Sequence, residues 1–267
     1  MKKIIFAFLP ILIIVAGASI VPGLLSSGID PKLLVVISIG LVSVLYAMRP
    51  KKAAPKSVQQ IIDEVLDDYS KDAFASDAAL DKSFRATLSD IGNNLPKTAL
   101  NKLKKLELNC TENPQKYAVA MASAKCYQLS KDFKNVIREY NKAIVLHPTD
   151  LLAYRIGDCH QRLGALEKAR DSYEFAAELD PNNPQYPSSI GTVCVGEGNY
   201  DAAMDYAMDA LVIDENFSQA LATMAICHGV KRNSAMCDHY TAQAVANGYS
   251  QEKIESTIKA LIKRDSN

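Results

Sequence analysis

One interval constrains this chain more than any other feature: from about residue 116 to residue 249 the sequence matches itself at steps of 33 or 34 residues. The stretch AYRIGDCHQRLGALEKARDSYEFAAELDPNN, from Ala153, aligns with YPSSIGTVCVGEGNYDAAMDYAMDALVIDEN, Pro187 opposite Ala153. Ile156-Gly157 then falls on Ile190-Gly191, Ala169 on Ala203, Ala176 on Ala210 and Pro181 on Glu215. A further step of 34 reaches Met224-Ala225, Cys237 and Ala244, and a step of 33 backwards reaches Ser123-Ala124, Val136, Tyr140, Ala143 and Pro148. A unit this short cannot bury its apolar face alone and must stack on its copies, so the interval predicts a solenoid.

Each copy reads as two amphipathic helices around a short turn. The breakers stand in register: Ser130-Lys131-Asp132, Gly164, Gly196-Glu197-Gly198-Asn199, and Gly229 to Asn233. Small residues recur where the paired helices must cross closely, namely Ala124, Gly157, Gly191 and Ala225 on the first helix and Ala143, Ala176, Ala210 and Ala244 on the second. The composition agrees: there is no Trp, and Ala, Leu, Ile, Lys, Asp and Glu are plentiful.

These residues resemble the tetratricopeptide repeat. The likeness covers about half the chain and is most specific over 150–183, where Gly157, Ala169, Tyr173, Ala176 and Pro181 all stand in place. The fourth copy departs, with Cys237 and Thr241 where Ala and an aromatic are usual. The resemblance implies an all-α, right-handed helical-repeat solenoid of about four helix pairs whose first helices line a concave groove. It further implies an adaptor that binds peptides or proteins there, rather than an enzyme.

Two Cys-His pairs, Cys159-His160 and Cys227-His228, raise the alternative of a thiol- or metal-dependent sensor built on the repeat columns. In register, however, Cys159 belongs to the column Cys126, Cys159, Val193, Cys227, and His160 to Tyr127, His160, Cys194, His228. Equivalent residues two copies apart should sit roughly 16–20 Å apart, while zinc needs its donors about 2.0–2.3 Å from one ion. The echo is therefore read as a packing position, with buried Cys acting as a small hydrophobe, and no metal or cofactor is expected.

The chain begins with two apolar runs. Residues 4–25, IIFAFLPILIIVAGASIVPGLL, carry no charge and are long enough to span a bilayer, and 33–48, LLVVISIGLVSVLYAM, form a shorter second candidate. The loop SSGIDPK joins them, and Lys2, Lys3, Arg49, Lys51, Lys52 and Lys56 flank them. By the positive-inside rule both ends face the cytoplasm. If Ala16-Gly17-Ala18 is instead a signal-peptide cleavage site, the second run remains a single span with the same orientation. The expectation is a cell-membrane protein, multi-pass or single-pass after cleavage, with its soluble domain cytoplasmic. The scattered six cysteines fit a reducing compartment.

The expected organisation is a membrane anchor over 1–50, a basic linker over 51–56, a helical segment over 57–115 capping the solenoid, the repeats over 116–249, and a closing helix over 250–267. Within 57–115, Ser57 and Gln60 form a capping box ahead of Val58, Ile61, Val65 and Tyr69 at helical spacing. A second helix starts near Ser76 or Asp77, and a third runs from about Pro96 to Leu108. The first of these is acidic (Asp63, Glu64, Asp67, Asp68) and the third basic (Lys97, Lys102, Lys104, Lys105), both read as solvated surface.

Projecting the first helices nominates groove residues: Met121, Lys125 and Gln128, then Tyr154, Arg155, Asp158, Gln161 and Arg162, then Gln185, Ser188, Ser189 and Thr192, then Gln219, Ala222, Thr223 and Ile226. The chosen peptide-binding set is Lys125, Gln128, Tyr154, Arg155, Asp158, Arg162, Ser188 and Thr192. Cations in its first half suit an acidic or C-terminal peptide, since Arg binds carboxylates with two parallel hydrogen bonds. The Lys and Asn carboxylate clamp of one subset of these repeats is not carried over, because Met121 and Lys125 stand at those positions. Thirty basic against 30 acidic groups argue against nucleic acid. No phosphate loop and no H-E-x-x-H, G-x-S-x-G or G-x-G-x-x-G occurs, so no catalytic residue is nominated.

Overall fold

The computed structural model describes residues 56–266. Among these residues there are twelve helices and no strand. They are α1 (Val58–Val65), α2 (Ala78–Gly92), α3 (Pro96–Glu107), α4 (Asn113–Leu129), α5 (Phe133–Leu146) and α6 (Asp150–Arg162). The rest are α7 (Leu166–Leu179), α8 (Gln185–Glu197), α9 (Tyr200–Ile213), α10 (Ser218–Val230), α11 (Ser234–Ala246) and α12 (Gln251–Asp265). The expected anchor lies outside the described residues. Among those described, no helix is long and apolar enough to cross a membrane.

Four pairs, α4/α5, α6/α7, α8/α9 and α10/α11, carry the repeat, and each second helix also packs on the first helix of the next pair. The reason is visible in one column: Ala143, Ala176, Ala210 and Ala244 are all fully buried. The small alanine side chain lets the helices approach closely at each of these positions.

The turn inside each pair is equally regular. Lys131, Gly164, Gly198 and Arg232, one per copy, all have φ between 58° and 82°, the left-handed region that tightens a helix exit. The residue after each starts the next helix, and Asp132, Asn199 and Asn233 each accept a hydrogen bond from the backbone N–H three residues on. Asn94, at φ 59°, makes the same turn between α2 and α3, and α3 packs on α4. The α2/α3 pair thus extends the stack by one unit built on the same turn.

Both ends are covered. At the carboxyl end α12 packs on α10 and α11 with Ile254 fully buried. At the amino end α1 packs on α2 and α4 with Ile61 and Val65 as its buried residues. The spacing through Tyr69 predicts a longer α1, yet the helix stops at Val65 and Leu66 is extended, at φ −107° and ψ 146°. Four carboxylates near a helix carboxyl end oppose its dipole, and Asp67 finds a better partner by leaving the helix, as described next.

Candidate peptide-binding groove

The first-helix face of α4 and α6 carries Met121, Lys125, Gln128 and Arg155, and it is here that the structure departs most from the sequence reading. The acidic segment is solvated only in part: Asp63 and Asp68 are exposed, but α1 lies against this face and Glu64 and Asp67 turn into it. Glu64 accepts hydrogen bonds from Lys125 and Lys56, and the Tyr117 hydroxyl donates to Asp67 at 2.7 Å. Tyr69 stacks on His147 with ring centroids 4.2 Å apart. Partial burial alone would raise the Glu64 carboxyl, but hydrogen bonds and charge from Lys125 and Lys56 outweigh it and hold it below its ordinary 4.5. The basic helix α3 does not meet α1's acids; its Lys102 pairs with Asp90 of α2 at 2.7 Å.

Two cavities flank Val65. One, about 180 Å³, is lined by Glu64, Met121, Lys125, Gln128, Tyr140 and Arg155. The other, about 130 Å³, includes Asp63, Asp67, Tyr117, Leu152 and again Arg155. Arg155 therefore faces both. Among the described residues it has no carboxylate within the 4.0 Å of an ion pair, whereas Lys125 does. Burial pushes the Tyr140 phenol up to about 12, partly offset by the Arg155 charge.

The other nominated residues fare differently. Gln128 donates to the Tyr140 hydroxyl at 2.8 Å. Tyr154 is half-buried between Tyr173 and Tyr186, at centroid distances of 5.4 and 5.8 Å. Asp158 and Arg162 pair with each other one helical turn apart, at 2.8 Å, and the Arg162 guanidinium lies over the Phe133 ring, so both are engaged within the stack. Thr192 donates to the Ser188 carbonyl at 3.1 Å and accepts from Gln219 at 3.4 Å.

Ser188 corrects the projection: it is fully buried, and its hydroxyl has no hydrogen-bond partner. Helix α8 packs on α7, α9 and α10, which leaves Ser188 no open side. The residues that sequence reasoning missed are Glu64, Asp67 and Tyr117. The acidic run pointed to the first two, but only as surface.

The Cys126, Cys159, Val193, Cys227 column is buried throughout, each member at 2% exposure or less. Burial raises these thiols, to about 12 for Cys126 and Cys227 and about 11 for Cys159. Among the described residues no group of three or more His, Cys, Asp or Glu is placed to hold a metal ion. The sensor alternative finds no support in this arrangement.

Comparison with known proteins agrees with the repeat. Residues 152–183 match the family model described as tetratricopeptide repeat. Over 119 residues, 44% of this chain, the sequence is 28% identical to heat shock protein STI1 of Saccharomyces cerevisiae. The chain spans only 20% of that relative's length. A tetratricopeptide repeat protein from Parabacteroides merdae superposes with TM-score 0.60 at 15% identity, over 68% of this chain and 72% of that one. YrrB, described as a tetratricopeptide repeat protein with an unusual peptide-binding site, gives TM-score 0.51 at 16% identity, over 77% of this chain and all of that one. At such identities the likeness is one of fold. Period, turn and architecture agree: the described residues form an all-α helical-repeat solenoid, similar in fold to tetratricopeptide repeat proteins and matching that repeat's family model over one copy.

Proposed function

We propose that this chain is a non-catalytic docking protein, tethered to a membrane by the apolar runs at 4–25 and 33–48, that presents its repeat groove to a protein or peptide segment rich in carboxylates on the cytoplasmic side. Recruitment is the mechanism: confining the groove to a surface raises the local concentration of whatever it binds. The observation that carries the reading is Arg155, a guanidinium lining two cavities with no carboxylate partner among the described residues. Its planar donor fork suits a carboxylate better than a lysine would. The relatives' names add support, since YrrB is described as binding peptide.

The test is affinity capture with the full chain in detergent, using wild type, Arg155→Ala and Arg162→Ala, with partners identified by mass spectrometry and their binding then measured with purified components. A partner lost with Arg155→Ala and kept with Arg162→Ala is the expected result. Equal retention by all three places binding elsewhere. Alkaline carbonate extraction of membranes tests the tether: the chain should stay in the pellet, and its release would refute anchoring.

A further inference from the structure

We infer that residues 56–69 are a resident ligand of this groove, seated against Gly92, and that the partner the groove recognises is an acidic amphipathic helix of the same pattern. The inference deepens the proposed function and rests on it.

Helix α1 has the features of a docked ligand. It has only eight residues, and helices shorter than about 12–15 residues are marginal in water, so docking sustains it. Ile61 and Val65, one turn apart, are its two buried anchors, the spacing by which amphipathic helices engage grooves. Glu64 projects between them to Lys125, whose side chain is only 19% exposed, and Asp67 takes the Tyr117 hydroxyl. Charge complementarity is therefore met within the chain: anionic helix, cationic groove. The fit is incomplete, because cavities remain on either side of Val65 and Arg155 faces both. A partner with apolar residues at i and i+4, a carboxylate at i+3 and a further carboxylate in reach of Arg155 would bind the same face with one more ion pair.

The seat is a single glycine. A Cβ on Gly92 would stand 2.3 Å from the Lys56 carbonyl oxygen and 3.3 Å from its carbon. The Lys56 N–H donates to the Gly92 carbonyl at 3.1 Å. Gly92 is not among the residues with positive φ, so alanine strains nothing in α2 itself. Gly92→Ala should therefore push α1 off its seat while leaving every groove side chain in place.

The experiment uses the full chain in detergent, read by anisotropy, and as the probe a peptide of residues 57–70 with a free amino terminus and fluorescein at its carboxyl end, which lacks the Lys56 carbonyl that the Gly92→Ala methyl would meet. A groove open only a fraction of the time binds with its affinity reduced by that fraction, so Gly92→Ala should tighten probe binding by about tenfold or more. Adding Lys125→Ala to Gly92→Ala should reverse that gain, and a probe carrying Glu64→Lys should fail to bind either protein. Hydrogen exchange of the wild type gives a reading independent of any variant: amides of α1 should exchange well before those of α4 to α11. Equal probe affinity for wild type and Gly92→Ala, or α1 amides that exchange only with global unfolding, would overturn the inference and make α1 a fixed part of the core. Partner capture through Arg155 would survive that outcome, so the two readings fail separately.

Discussion

Gly157 lies beneath the ring of Tyr173: a Cβ on the glycine would stand 2.5 Å from the ring carbon Cε1 and 2.6 Å from Cδ1. Tyr173 cannot easily yield, since it is 1% exposed and its hydroxyl donates to Gln161 at 2.9 Å. Overpacking costs about 1–3 kcal/mol, and alanine regains about 1 kcal/mol of helix propensity. Gly157→Ala should thus lower stability on balance. Gly196→Ala is the control, because its Cβ would meet only Leu166 Cδ1 at an ordinary 3.5 Å. Urea unfolding of the two variants should move the midpoint in opposite directions.

The repeat turn makes a paired prediction. Lys131 and Gly164 hold the same left-handed position one copy apart, at φ 58° and 75°. That conformation costs a residue with a Cβ roughly 1–2 kcal/mol. Lys131→Gly should raise the thermal midpoint, and Gly164→Ala should lower it by a similar margin. No change in either would mean the turns relax differently in the two copies.

Ser188 offers a test of what burial means for a nominated site residue. Its hydroxyl is buried without a partner, and an unmatched buried polar group costs about 1–3 kcal/mol. Ser188→Ala should therefore leave stability unchanged or raise it, with no loss of partner binding. A weakened complex would put Ser188 back in the groove.

Thiol titration under native conditions should find one fast cysteine. Cys237 is partly exposed, and the other five are buried. The thiolate is the reactive form, and Cys126, Cys159 and Cys227 titrate only near 11–12. The remaining cysteines should react with a chromogenic disulfide reagent only on unfolding. Several fast thiols in the folded protein would reopen the sensor reading.

Acid should loosen α1 before it loosens the repeats. The Glu64 carboxyl is held below 4.5 when docked and returns to that ordinary value when released. Its contribution to docking is therefore full above 4.5 and fades as pH falls through the lower, docked value. Protection factors for the α1 amides, corrected for intrinsic exchange, should hold level down to pH 4.5 and drop below it, while those of α6 and α8 change less. Glu64→Gln should abolish the difference.

The contrast between α2 and α1 shows where legibility in the sequence stops. Asp77 caps α2 by accepting from the Ala79 and Leu80 N–H groups, so its start is written in adjacent residues. Val58, Ile61, Val65 and Tyr69 share one helical spacing too, yet the chain leaves the helix at Leu66 because Asp67 is satisfied by Tyr117, 50 residues away. Ser188 failed for a related reason. A helical projection reports which residues share a face, and α8 is surrounded on more sides than one face can express.

The sequence alone determined the period, the paired helices, the turn positions and the reading of the Cys-His echo as packing. Each depends on neighbours within one 33- or 34-residue copy, and repetition averages away the noise of any single one. Tertiary structure alone decided that the groove is partly filled by its own chain. The ion pair responsible joins Glu64 to Lys125 across 61 residues, between a segment outside the repeat and a column inside it. No periodicity links those two, and only closure of the chain brings that carboxylate and that ammonium together.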